Sequence, residues 1–234
     1  MSTIQHNIEH ITAQIRSYEQ KFGRASGSAQ LLAVSKTKPI EAIEAAIEAG
    51  QRAFGENYVQ EGVDKVNHFA QQNNNQSLEW HFIGPIQSNK TRPIAENFDW
   101  VHSIDRSKIA QRLNDQRPSD LPPLQVMIQV NTSGEESKSG TSDDEVMELA
   151  ALIDSLPNLT LRGLMSIPAN VSDYTSQLKA FNHLARLKDK LAQNYPQVDM
   201  LSMGMTGDME AAIEAGSTMV RIGTAIFGAR NYNN

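Results

Sequence analysis

Three features of the sequence predict a single (β/α)8 barrel of the TIM class with an extra N-terminal helix. Eight short apolar runs alternate with helix-like stretches along the chain, and eight such units favour a closed barrel. The runs are mostly continuous rather than alternating apolar and polar, as expected of parallel strands covered by helices. The chain has 234 residues, a length that α/β barrels commonly reach as one domain. One domain over residues 1–234 is the expectation.

Residues 1–22 carry Ile4, Ile8, Ile11, Ile15 and Tyr18 at spacings of three and four, which lays one apolar stripe along a helix. This is the expected N-terminal cap helix. A Gly/Ser break at 23–28 leads into LLAVSKTKP at 31–39, a buried strand that stops at two lysines and a proline. Further strands are expected at 52–55, 80–84, 100–104, 124–130, 159–165, 198–203 and 218–222. Helices fall near 40–49, 57–72, 88–97, 106–116, 142–155, 173–193 and 207–215, and the eighth strand is followed by a short terminal turn. AAIEAG occurs at 45–50 and again at 211–216, either as a trace of repeat ancestry or as one good helix ending used twice. NTSGEESKSGT at 131–141 follows the fifth strand, where a barrel places functional loops. The polar tract QQNNNQ at 71–76 joins a helix to a strand and belongs on the opposite face.

Composition narrows the function. A net charge of -6 gives no basic field for a polyphosphate backbone, so no nucleic-acid partner is expected. Without cysteine, the chain builds neither disulfides nor thiolate metal sites. The first residues lack the uninterrupted apolar core of a signal peptide, and no apolar stretch approaches the roughly 20 residues that cross a bilayer. A cytoplasmic protein with no membrane anchor is expected. The six histidines are scattered, which argues against a metal-dependent hydrolase, and no metal site is expected.

Barrel chemistry is built at the C-terminal ends of the strands, and Lys36 ends the first one. A partly desolvated amine there suits imine formation, although a strand-end lysine is more commonly a solvated surface residue. Lys38, in the loop before Pro39, is the more solvated of the pair. The eighth strand runs into Gly223 and Thr224, whose backbone N–H groups and hydroxyl suit an anion. Phosphate sites in barrels frequently use the loops after strands seven and eight, and LSMGMT at 201–206 offers the matching loop. The plainer alternative is that Gly223 relieves a tight turn and Arg221 is an ordinary ion-paired strand residue. Placed against the pyridine nitrogen of a bound cofactor, Arg221 would favour the unprotonated ring and weaken it as an electron sink.

Six blocks, in order, resemble the pyridoxal phosphate homeostasis protein family, whose fold is that of the barrel domain of alanine racemase. They are LLAVSKTKP at 31–39, FGENYVQE at 54–61, WHFIGPIQSNK at 80–90, VNTSGEESKSG at 130–140, LRGLMSIP at 161–168 and LSMGMTGDMEAAIEAGSTMVRIGTAIFG at 201–228. The resemblance covers nearly the whole chain. It implies pyridoxal 5′-phosphate as cofactor, held as a Schiff base on Lys36, with Ser202, Gly223 and Thr224 on the phosphate. It also implies that Asn57 approaches the cofactor, that Arg221 pairs with the pyridine nitrogen, and that His81, Met165, Met203 and Met205 line the barrel mouth. Ser166 stands where alanine or threonine is more usual in the family, and Thr206 where serine is usual; both remain small, so the departures bear on pocket detail.

Read on their own, several residues have plainer roles. His81 is expected as a hydrogen-bonded histidine in the barrel mouth rather than an acid or base. Ser103 or Asp105 is expected to cap the next helix, in preference to an acid–base pair of His102 and Asp105. The methionines fill irregular core space, and Lys138 is solvated.

Two functional classes follow from the resemblance. The first is a non-enzymatic carrier that sequesters a reactive aldehyde and passes it to apo-enzymes, keeping free cofactor low. The second is an amino-acid racemase or a related pyridoxal-phosphate enzyme. Racemisation needs acid–base groups on both faces of the substrate Cα, and in alanine racemase the second face is served by another domain and subunit. The chain stops six residues after Gly228, so the carrier is expected, and as a monomer, since that second domain supplies much of the racemase dimer interface.

Overall fold

A computed structural model describes residues 2–72 and 77–229. Of the polar tract expected on the structural face, positions 73–76 lie outside the described residues. Eight strands form a closed parallel barrel in chain order: β1 (Gln30–Val34), β2 (Ala53–Glu56), β3 (Glu79–Phe82), β4 (Trp100–Ile104), β5 (Leu124–Gln129), β6 (Leu159–Met165), β7 (Met200–Ser202) and β8 (Met219–Ile222). β1 closes the barrel on β8, with Leu32 opposite Arg221. Each expected strand is present, most within one or two residues of its expected bounds.

Between the strands run α2 (Ile40–Glu48), α3 (Val59–Ala70), α4 (Thr91–Asn97), α5 (Ser107–Gln116), α6 (Asp143–Ser155), α7 (Tyr174–Ala192) and α8 (Met209–Ala215). The main core lies between sheet and helices, where Phe54, Phe82, Phe98 and Phe181 are fully buried. After β8 the described residues make only the single-turn helix α9 (Thr224–Phe227).

That brevity explains the place of α1 (Thr3–Lys21). Ser2 and Gln5 close its N-terminus as a capping box, and Ile8, Ile11 and Ile15 bury its apolar stripe. The helix packs on α2, α8 and α9, and Asn7 Nδ2 donates to the Ile226 carbonyl at 2.8 Å. The expected cap helix is thus a member of the outer ring, covering the flank that one turn of α9 leaves bare.

The barrel interior is filled by residues two apart on each strand, because alternate side chains share a face. Leu32, Val34, Ile83 and Met219 form one small apolar cluster, and Trp100, Met127 and Met165 another. Polar side chains occupy the space between them: Glu79 and His81 from β3, His102 from β4, Ser202 from β7 and Arg221 from β8. Among the described residues, no helix is long and apolar enough to cross a membrane.

Candidate functional site

The turn after β1 carries Lys36 and is gripped from two sides. Ser35 N–H donates to the Gly55 carbonyl, continuing the β1–β2 pairing. Thr37 has φ 64, the one positive value outside glycine among the described residues. Its backbone N–H donates to Glu61 Oε1 at 2.5 Å. Lys65, one turn further along α3, lies 2.6 Å from the same carboxylate and donates to the Ser35 carbonyl at 2.7 Å. It also pairs with Glu56 at 2.7 Å. Burial pushes the Glu56 carboxyl up to about 7, against the opposing pull of the Lys65 ammonium. Both neighbours of half-buried Lys36 are therefore fixed by one helix.

Lys36 lines a cavity of about 420 Å³ at the C-terminal ends of the strands, together with Asn57, Arg221, Gly223 and Thr224. Five of the six residues expected at the site thus share one cavity. Asn57 Oδ1 is buried, with no hydrogen-bond partner among the described residues. The neighbouring loop passes close behind it: a Cβ on Gly84 would lie 2.3 Å from the Asn57 carbonyl oxygen, so only glycine fits.

Arg221 is 5% exposed. Its Nη1 donates to Ser202 Oγ at 2.7 Å and its Nη2 to the Ser166 carbonyl at 2.8 Å. Burial lowers its pKa to about 10, with Asp208 opposing the shift, so it stays charged near neutral pH. Two of its five N–H donors are committed to these anchors.

Ser202 does not line the cavity. It is fully buried, and its hydroxyl oxygen contacts Arg221 and His102. As the last residue of β7 it faces the barrel interior. From the loop after β7 it is Thr206, beside Gly207, that lines the cavity. Gly204, at φ +104, starts the turn that carries them; a Cβ there would meet Ala212 Cβ at 2.7 Å. Asp208 Oδ1 closes the turn by accepting the Met205 N–H at 2.7 Å. Thr206 was distinguishable in sequence only as the second hydroxyl of LSMGMT.

Other expectations move as well. His81 lies within the barrel rather than at its mouth, with its Nδ1 2.8 Å from His102 Nε2. Asp105 is not paired with His102; it accepts the Gly140 N–H at 3.3 Å. Arg106 precedes α5 with no side-chain cap, so neither Ser103 nor Asp105 caps that helix. Ser103 donates instead to the Gly84 carbonyl. Met165 and Met203 are fully buried, and only Met205 reaches the cavity. Lys138 lines an adjoining hollow with Asn57 and Gln129, and lies 3.6 Å from Glu135.

The family model described as the N-terminal domain of alanine racemase matches residues 4–231. A pyridoxal phosphate homeostasis protein of Vibrio alginolyticus is 73% identical over 233 residues, covering 100% of both chains. That of Escherichia coli K12 is 58% identical, over 100% of this chain and 99% of its own. Among solved structures, PipY of Synechococcus elongatus with pyridoxal phosphate bound superposes with a TM-score of 0.80 at 32% identity, covering 96% of this chain and 100% of PipY.

Proposed function

Since the chain belongs to the alanine racemase N-terminal domain family, among the pyridoxal phosphate homeostasis proteins, we propose that it binds pyridoxal 5′-phosphate through Lys36 and carries the cofactor without turning over amino acids. The observation that carries this reading is the shared cavity: an amine on the turn after β1 and a guanidinium on β8 meet where the barrel closes. When bound, the cofactor supplies an aldehyde and an electron-withdrawing ring.

The residues present suit that group. Lys36 offers the amine that would take the aldehyde carbon as a Schiff base, with loss of water. Thr206, Gly207, Gly223 and Thr224 offer hydroxyls and turn backbone to an anion; Thr206 takes the part first expected of Ser202. Asn57 brings a buried acceptor that lacks a partner among the described residues. Arg221, held by Ser202 and Ser166, would offer a fixed positive charge to the ring nitrogen.

That charge favours the carrier reading. A guanidinium beside the ring nitrogen disfavours its protonation and so weakens the pull on electrons from a bound amino acid. Exposed Ile167 and Met205 at the cavity wall leave the site accessible, as handover to apo-enzymes requires. The same reading takes residues 1–234 as one cofactor-binding domain acting as a monomer in the cytoplasm. Loading the protein with pyridoxal phosphate and following alanine and serine by chiral analysis tests it. A visible imine band without D-amino acid is expected; sustained racemisation that Lys36→Ala abolishes would establish the enzyme instead.

A further inference from the structure

A line of hydrogen bonds crosses the barrel interior from end to end. Glu79, with its side chain 46% exposed, borders a cavity at the N-terminal ends of β1, β2 and β3. Its carboxylate lies 2.7 Å from His81 Nε2. His81 Nδ1 is 2.8 Å from His102 Nε2, and His102 Nδ1 is 2.8 Å from Ser202 Oγ. Ser202 Oγ in turn accepts from Arg221 Nη1 at 2.7 Å. His81, His102 and Ser202 are fully buried, so bulk water does not compete for the links among them.

The direction of the line follows from donor chemistry. An arginine only donates, a carboxylate only accepts, and a serine hydroxyl has one proton to give. With both imidazoles neutral, one arrangement satisfies all four contacts. Arg221 donates to Ser202, Ser202 Oγ–H to His102 Nδ1, His102 Nε2–H to His81 Nδ1, and His81 Nε2–H to Glu79. Burial, reinforced by His81 and Arg221, holds His102 neutral. A state with one more proton places both ring protons on His81. Its Nδ1–H then donates to His102 Nε2, the His102 proton moves to Nδ1, and Ser202 accepts from both sides while its own proton turns away.

We propose that Glu79, His81, His102 and Ser202 are positioning residues forming a directional relay, through which a proton gained or lost at His81 Nδ1 changes the hydrogen bond that Arg221 makes at the opposite end of the barrel. The change needs one proton from solvent and no other reactant. The charged groups around its entry are Glu79 and Asp99, with Arg162 over the Trp100 ring at 5.1 Å, and His102 on the inner side. The effect on a bound ring nitrogen rests on the function proposed above; the relay itself does not.

The relay is tested in the cofactor-free full chain by 15N NMR of its histidine and arginine side chains. Near neutral pH both rings should carry the proton on Nε2. On acidification His102 should switch from Nε2–H to Nδ1–H, and the Arg221 side-chain signals should move together with that switch. Glu79→Gln removes the accepting carboxylate from the half-exposed end, so the His102 switch and the Arg221 response should be displaced together. Ser202→Ala should abolish the Arg221 response. A His102 already protonated on Nδ1 at neutral pH, a His102 tautomer that never switches, or Arg221 signals that do not follow His102 in the Glu79→Gln protein would each overturn the relay. Failure of the unaltered chain to develop an imine band with pyridoxal phosphate would instead overturn the cofactor reading and leave the NMR result standing.

Discussion

The Thr37 backbone N–H donates to Glu61 Oε1 at 2.5 Å, which ties α3 to the turn that carries Lys36. Thr37 is held there at φ 64, a conformation that costs a β-branched residue about 1 kcal/mol. Thr37→Gly should therefore stabilise the fold by about 1 kcal/mol in urea unfolding. Glu61→Ala removes the clamp, and retention of pyridoxal phosphate on dialysis should weaken about tenfold, roughly 1.4 kcal/mol. Unchanged retention would show that the turn needs no support from α3.

Glu56 gives stability a definite dependence on pH. Its carboxyl titrates at about 7 in the folded protein against 4.5 when unperturbed, because burial disfavours the charged form. Within that window the native state binds more protons than the unfolded chain, so this group's contribution falls as pH rises. It is fully present below about 4.5 and gone above about 7. The urea midpoint should record that decline, and Glu56→Gln should flatten it. A decline of equal size in Glu56→Gln would assign it to other groups.

Gly204 sets the course of the Thr206 turn. A methyl group there would be strained at φ +104 and would lie 2.7 Å from Ala212 Cβ. Gly204→Ala should cost about 2 kcal/mol or more in stability and lower the affinity for inorganic phosphate. Thermal unfolding and phosphate titration by calorimetry check the two effects separately.

Arg221→Gln keeps a donor near Ser202 and the Ser166 carbonyl but removes the charge. Charge-assisted hydrogen bonds contribute about 1.5–3 kcal/mol each, so the substitution should cost about 2 kcal/mol or more. Cofactor should still attach at Lys36, since the amine is untouched. A Gln variant that loses attachment while remaining folded would give Arg221 a part in the chemistry at Lys36 that the present reading does not.

The barrel was legible in the sequence because each parallel strand must bury both faces, which writes it as a continuous apolar run. Lys36, Asn57, Arg221, Gly223 and Thr224 were legible because strand ends and the blocks around them mark the cavity rim. That Thr206, and not Ser202, lines the cavity was not legible. Both hydroxyls fall within LSMGMT, and choosing between them requires knowing that β7 ends at Ser202 with that side chain turned inward. The pairing of His81 with His102 depends on the β3–β4 register, in which His81 stands opposite Trp100; no local pattern encodes it. The role of α1 followed from the length of α9, a matter of packing around β8 and not of periodicity within α1.

The proposed point of cofactor attachment is the Lys36 amine. Protein loaded with pyridoxal phosphate, reduced with borohydride and digested, should yield one pyridoxyl-labelled peptide, with the added mass on Lys36. A label on Lys38, on Lys138 or on no lysine at all would contradict the account.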